Sequence, residues 1–505
     1  MSPEQTSAEH AVGRRHAPVE TASRRTFVLA AAMMAIFMAA VESTIVATAM
    51  PSIVAALGDF SLFSWVFTAY LLTQAVTIPI YGRLADLYGR KPVFFAGASL
   101  FLVASALCGF ARTMPTLISL RALQGLGAGA IQPIATTIVG DIYTPAERAR
   151  VQGYISGVFG VSAIIGPALG ALLVEHGSWS VVFWINVPIG LAAFVMFAMF
   201  LHEHLEPRPH QIDYLGSILL AVGAGAVMTA LVQRASLRPV TIAGLLGLGM
   251  VSLVALVAHE RRAAEPMLAH RLWRNRFIAV GNLGGFTLGA LMMGVAASLP
   301  TYVQAVLGGR ASAAGLALAA MSIAWTLGSI VGGRLMVRSS YRATATLGTL
   351  ALFAGALVLI ALEPPRGLGW ASVGATLVGL GMGLCNTTFI VSVQASVGWG
   401  ERGVATSSTM FMRMVGQAAG AAAFGAILNM GVHRSVPDAV TVLNRLMAPA
   451  LRAGLAPAEV ARLTGAVAAA LRDVYLGVGL LSLVAVLLAL RLPSGFGPTR
   501  HARRD

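Results

Sequence analysis

Charge is scarce in this chain, and lysine is almost missing. Only 11% of the 505 residues are charged, where a soluble domain carries roughly 25%. That shortage excludes a large water-soluble enzyme, whose exterior needs polar side chains this composition does not supply. Cysteine is limited to Cys108 and Cys385, both inside apolar stretches, so neither a disulfide framework nor a cysteine metal cluster can be built. Lys91 is the single lysine, and arginine carries the rest of the positive charge, a bias that GC-rich coding produces. No phosphate-binding loop, nucleophile–base pairing or ATP-binding motif is present, which argues against an enzyme or an ATP-driven pump. Residues 1–25 are polar, contain Arg14, Arg15, Arg24 and Arg25, and lack a short apolar core before a cleavage site. They read as a cytoplasmic tail and not as a secretory signal.

What is abundant is apolar: 57% of residues are hydrophobic and 55 are glycine, the mixture expected of helices that pack closely in lipid. A span needs about 20 mainly apolar residues. Such stretches lie near 26–50, 62–81, 93–111, 115–140, 151–174, 181–201, 214–232, 240–258, 278–299, 312–337, 343–362, 369–396, 407–431 and 473–492, about fourteen in all. Backbone groups in lipid must be satisfied internally, so these are helices. The net charge of +15 does not indicate nucleic acid, because the arginines fall in short runs between apolar stretches. With the N-terminus inside, Arg83, Arg90, Lys91, Arg148, Arg150, Arg261, Arg262, Arg271, Arg274, Arg276, Arg338 and Arg342 sit in inner loops, which places both termini in the cytoplasm. The segment 266–277, with arginines beside Leu272, Trp273 and Phe277, suits the inner headgroups.

An internal repeat is visible. Gly82-Arg83-Leu84 recurs as Gly333-Arg334-Leu335, Gly125–Gly129 as Gly379–Gly383, and Gly166 with Gly170 as Gly416 with Gly420. The organisation read from this is a tail (1–25), a six-helix half (26–205), a two-helix linker (206–262), a second half (263–492) with an outer loop 432–472, and a tail (493–505). Two parallel six-helix halves around a midplane site suit alternating access.

Glu42 is the one acid well inside an apolar span. Intramembrane carboxylates recur in proton relays, although a permanent ion pair is the competing reading. Arg121 is the matching cation. Glu42 lies about 24 Å up from the inner side and Arg121 about 9 Å down from the outer side, at 1.5 Å per residue, so the two share a depth in a core about 30 Å thick. Ala375 stands where Arg121 would repeat. The tight loop Gly82–Lys91 holds one acid, Asp86, among Gly82, Gly89, Arg90 and Lys91. Arg90 and Lys91 suit a positive-inside anchor, whereas Asp86 suits a latch onto helix ends of the other half. Gly166, Pro167 and Gly170 put a proline into a glycine-lined helix face.

These segments resemble the signatures of the major facilitator superfamily. The loop 82–91 resembles its inner-loop motif, 117–130 its fourth-helix motif with the arginine, and Gly166-Pro167 with Gly170 its antiporter motif. Glu42–Val46 with Pro51, and Trp179 with Trp184-Ile185-Asn186-Val187-Pro188, are similar to the drug:proton antiporter branch with fourteen helices. That branch more often has aspartate at the Glu42 position, and Val337 replaces the repeated acid of the second half. The resemblance implies an all-α polytopic fold of two six-helix halves plus a two-helix linker. It also implies proton-coupled export of lipophilic or cationic compounds from a bacterial inner membrane, driven by a proton gradient without cofactor or metal. Glu42 and Arg121 would then couple protons, and Gly82, Asp86, Gly89, Arg90, Lys91, Gly166, Pro167 and Gly170 would gate. Trp65, Tyr70, Gln74, Gln304, Asn386, Phe389, Met410 and Phe411 are expected to line the cavity, since aromatics, methionine and amides suit adaptable binding. Partners would be small substrates, protons, lipid and an accessory protein at the outer loop, with no nucleic acid. A lipid, siderophore or self-made metabolite is the alternative cargo; a sensor or scaffold is the alternative class. Cysteines introduced in 432–472 should be labelled from outside while a C-terminal reporter stays inside; external labelling of the C-terminus would break the repeat assignment.

Overall fold

The computed structural model describes residues 22–59, 62–203, 213–233, 237–262, 270–309, 311–363, 367–434, 446, 452 and 454–494. Among them, fourteen helical rods of nineteen residues or more follow in order. The first six are α1 (Ala22–Leu57), α2 (Phe63–Tyr88), α3 (Arg90–Cys108), α4 (Met114–Ile142), α5 (Pro145–His176) and α6 (Val181–Phe200, broken only at Ile185). Two more, α7 (Tyr214–Val232) and α8 (Pro239–Glu260), precede α9 (Arg276–Thr301), α10 (Ala311–Arg338), α11 (Tyr341–Ile360), α12 (Gly367–Ala395), α13 (Arg402–His433) and α14 (Pro457–Leu490). Twelve are long and apolar enough to cross a membrane, and the protein is a multi-pass membrane protein. The two that fall short, α2 and α4, carry Gln74, Arg83 and Asp86, and Arg121, Gln124 and Gln132.

Each predicted stretch overlaps one helix, but two helices begin well before their apolar part. Thr144 and Glu147 form a capping box that starts α5 at Pro145, in a polar first turn. Pro457 opens α14, so residues 457–472, expected in the outer loop, are helical. Leu463, Val467 and Leu471 of that stretch are buried, while Glu459, Arg462 and Arg472 dilute its hydropathy. The segment expected along the headgroups is also different. Its part 266–269 lies outside the described residues; Leu272 packs with Ile278, Val393 and Val404, and Phe277 meets Tyr341 edge-on. Leu272 and Phe277 are buried inside the protein, and Trp273 is half-buried.

The repeat seen in the sequence is a repeat of close approaches. Lipid supplies no hydrophobic drive between helices, so small residues that admit a neighbouring backbone set the packing. A Cβ on Gly125 or Gly129 would strike α2 at Tyr70 and Thr73 or at Gln74 and Thr77, and one on Gly127 would strike α3 at Gly97 and Phe101. In the second half, Gly379 and Gly383 face Met321 and Trp325 of α10, and Gly381 faces Gly348 and Leu352 of α11. Thus α4 wedges between α2 and α3 as α12 wedges between α10 and α11. Gly166 and Gly170 seat α5 on Thr44 and Ile45 of α1, as Gly416 and Gly420 seat α13 on Phe286 and Ala290 of α9. Two contacts join the halves in the same mirrored way: Gly82 of α2 meets Gly403 and Ser407 of α13, and Gly333 of α10 meets Ala149 of α5.

The linker hairpin breaks this symmetry. Leu220 and Ala224 of α7 pack with Val76 and Ile78 of α2 and with Met410 and Phe411 of α13, so α7 covers the seam between those helices. Gln233 adds a hydrogen bond to Thr68 Oγ1 at 3.1 Å. Outside α7, α8 exposes Val240, Leu248, Met250, Val251, Val254 and Val257, as a lipid-facing helix does.

Gly379→Val should lower the melting temperature in detergent, since overpacking costs about 1–3 kcal/mol and here the obstacle is backbone. Gly369→Val, at a position with no atom within 4 Å of its would-be Cβ, is the control. Equal melting temperatures would show that α12 does not depend on that approach.

Candidate functional site

The first constellation is sealed within the first half. Glu42 on α1 has no exposed surface, and Arg121 on α4 and Asn186 on α6 are 1% exposed. Arg121 Nη1 donates to Glu42 Oε1 in an ion pair, and Asn186 Nδ2 donates to Glu42 Oε2. The guanidinium is held further by Gln124 Oε1 at 2.7 Å and the Val66 carbonyl at 3.4 Å. It lies over the ring of Tyr70 at 4.1 Å and beside that of Phe183 at 5.7 Å, a cation–π arrangement. Asn186 also donates to Ser105 Oγ at 3.1 Å, and Ser105 donates to the Phe183 carbonyl at 2.8 Å. Val41, Ile45, Cys108 and Phe183 close the surroundings. Ionised groups in such a place persist only when paired, and here each carboxylate oxygen has its own donor. Three polar atoms around the pair, Tyr70 Oη, Gln124 Nε2 and Asn186 Oδ1, are buried without a hydrogen-bond partner among the described residues.

The second constellation joins the halves at the arginine-rich end. Asp86, at the end of α2, accepts from the backbone N–H groups of Gly403 at 2.9 Å and Val404 at 2.8 Å. It therefore caps the N-terminus of α13, where free N–H groups and the helix dipole favour an anion. Arg90 pairs with Asp86 at 2.9 Å and with Asp141 at 2.9 Å, donates to the Trp399 carbonyl at 2.6 Å, and lies 3.8 Å from the Trp399 ring centroid. The other oxygen of Asp141 pairs with Arg402 Nη1, which also donates to the Gly140 carbonyl at 3.2 Å. The chain of charges is Asp86, Arg90, Asp141, Arg402, alternating in sign and crossing between the halves. Gly89 makes the turn into α3 at φ 93, a backbone region that favours glycine.

Arg90 and Lys91, expected among the gating residues, are both engaged within the protein. Arg90 is 1% exposed and belongs to the charge chain. Lys91 Nζ donates to the carbonyls of Ala198 and Leu201 at 3.0 and 2.7 Å, at the end of α6. In return Glu203, just beyond α6, accepts from the backbone N–H groups of Arg90 and Lys91 at 2.9 and 3.0 Å. Lysine at one helix end and glutamate at another tie α3 and α6 together. Gly166 and Gly170 lie against α1 near Glu42, and Pro167 is exposed within α5.

Of the residues expected to line a cavity, Trp65, Gln74, Gln304 and Asn386 are half-buried. The Gln304 carbonyl accepts from Arg452 at 3.2 Å. The others are occupied elsewhere. Tyr70 stacks on Arg121, Phe389 packs in the second core against Gly284, and Met410 and Phe411 lie in the cluster under α7. Their size and softness serve packing there.

Sequence reasoning misses Asn186 as a site residue, although it is a polar side chain inside an apolar run. It misses Asp141, Trp399 and Arg402, which carry no local signal of their distant partners. It also misses Arg413 of α13, which an arginine within 407–431 could have flagged as Glu42 was flagged. Arg413 Nη1 donates to Asn386 Oδ1 at 3.1 Å. Among the described residues no group of three or more histidine, cysteine, aspartate or glutamate side chains could hold a metal ion.

The sequence profile of the Major Facilitator Superfamily matches residues 32–421. The chain is 38% identical over 407 residues to Multidrug resistance protein 3 of Bacillus subtilis (strain 168), covering 79% of each protein. It is 35% identical over 410 residues to Multidrug transporter protein MdtP of the same organism, covering 81% of this chain and 76% of that one. The fold matches the crystal structure of the human organic anion transporter MFSD10 with a TM-score of 0.65, over 92% of this chain and 99% of that one. At 15% identity that likeness concerns the fold alone. The protein is a membrane transporter and not an enzyme. With its glycine-set pair of six-helix halves, and a profile match across most of its length, the chain belongs to the Major Facilitator Superfamily.

Proposed function

We propose that the protein is a proton-coupled multidrug exporter of lipophilic organic compounds in a bacterial plasma membrane. All fourteen long helices cross, and the arginine-rich end with both termini faces the cytoplasm. The observation that carries this reading is the Glu42–Arg121–Asn186 constellation. A carboxylate within a span is costly to keep and marks a proton or ion pathway. The three unpartnered polar atoms beside it favour the same role, because they offer a second set of partners once the pair separates. The names of the two Bacillus relatives support multidrug export.

The coupling follows from charge. While Glu42 is ionised it holds Arg121, so α1, α4 and α6 move as one. A proton on Glu42 cancels the ion pair and leaves Arg121 to Gln124, the Val66 carbonyl and the Tyr70 ring. The energy comes from the proton gradient, with no cofactor. The charge chain from Asp86 to Arg402 closes the cytoplasmic side, and its release lets cargo enter from there.

Glu42→Gln should reduce pH-driven efflux in everted vesicles to the leak rate while substrate binding persists, since the amide keeps the shape but does not take up and release a proton as a carboxylate does. Normal gradient-driven transport by this variant would move coupling elsewhere. Asp86→Asn and Asp141→Asn should each insert normally yet shift the population toward the inward-open form. One contact of about 1–3 kcal/mol changes that equilibrium roughly 5–150-fold. The readout is the distance between probes on the cytoplasmic ends of the two halves, and unchanged distances with full activity would remove the latch.

A further inference from the structure

Four positions that the repeat relates break the buried faces of the inner helices or leave them unburied. Gln132 is the single position not buried between Gly127 and Gly140 on α4, and Asn386 is the single such position between Gly381 and Gln394 on α12. The offset that relates Gly125 to Gly379 also relates Gln132 to Asn386. Both helices are surrounded by other helices: α12 packs on α9, α10, α11 and α13 and touches α4 and α5 across the seam. Their openings therefore face the space between the halves and not lipid. The offset that relates Gly166 to Gly416 relates Ala163 to Arg413, and neither of these is buried.

One of the four is charged. Arg413 has five donors, of which Nη1 reaches Asn386 Oδ1 at 3.1 Å, while Nε is buried without a hydrogen-bond partner among the described residues. No carboxylate there lies within ion-pair distance of it. Glu42 cannot answer it, being sealed and paired with Arg121. Asn386, its oxygen engaged, presents its NH2 group as a further donor. A half-buried guanidinium beside an amide makes a fork suited to a carboxylate.

We propose that Arg413 and Asn386 bind the anionic group of the exported molecule, which makes amphipathic organic acids, and not cations, the preferred substrates. This rests on the exporter reading, and names the substrate class of its central cavity.

The test uses the purified full-length protein in zwitterionic nanodiscs and three probes with one aromatic body: pyrenebutyrate, its methyl ester, and a pyrenebutyl trimethylammonium. The carboxylate should bind roughly tenfold or more tighter than the ester, the range of a hydrogen-bonded charge, and the cation weakest. Arg413→Gln should erase that preference while ester binding stays within about threefold, which also reports that the variant is folded. Arg413→Lys should retain part of the preference, and Asn386→Ala should reduce it; these two carry the test should Arg413→Gln not fold. Binding blind to charge in the wild type, or a preference intact in Arg413→Gln, would overturn the proposal. So would displacement of pyrenebutyrate by phosphatidylglycerol in the nanodisc, which would assign the site to a lipid headgroup. Export in vesicles is scored separately: a binding preference without pH-driven export supports the anion site and sinks the exporter.

Discussion

A charge inside a bilayer finds no water, so the protein must supply its partner. That constraint organises the whole molecule. Glu42 and Arg121 answer each other across α1 and α4, and Asn186 fixes the remaining oxygen from α6. At the arginine-rich end Asp86, Arg90, Asp141 and Arg402 answer one another in sequence, and two backbone N–H groups of α13 complete the set. One network lies wholly within a half and the other lies between halves. Breaking the first alters the inside of a rigid body; breaking the second changes how two bodies stand. A transporter needs both kinds of change, and the two networks separate them.

The fold was legible where it depends on composition and repetition. Glycines at matching offsets could be read as matching contacts, because in lipid a glycine face is a docking face. The ends of helices were less legible. Thr144 and Glu147 start α5 with polar side chains, and α14 opens with a polar face over Leu463 and Val467, so an apolar count begins too late at both. Within the site, Glu42 and Arg121 announce themselves as charges in apolar surroundings, and spacing alone gives them a common depth. Asp86 announces itself by its sign, but the groups it caps are backbone amides of Gly403 and Val404, which have no signature in a sequence. The partners of Arg90 and Lys91 were hidden for a related reason: Asp141 and the carbonyls of Ala198 and Leu201 lie far along the chain and carry no local signal of the contact.

The halves repeat in backbone but not in charge. Ala375 replaces Arg121, Val337 replaces Asp86, and Arg413 has Ala163 as its counterpart. Each half has kept one intramembrane arginine and given it a different neighbour, a carboxylate in the first and an amide in the second. The first arginine is neutralised within its own half, whereas the second has an amide and, among the described residues, no carboxylate within ion-pair distance.

The position of α7 makes the two flanks of the bundle physically unlike, and so presents two different surfaces to the acyl chains. A two-fold bundle has two flanks at which its halves meet. On one, α7 lies across α2 and α13 and its apolar side chains fill the cleft. On the other, α5 and α10 meet through Gly153 and Gly333, with Tyr154, Phe159, Leu327 and Val331 exposed beside them and no helix laid over the join among the described residues. The first flank is thus walled by a third helix, and the second by the direct packing of α5 on α10, with backbone against backbone at Gly333 and Ala149.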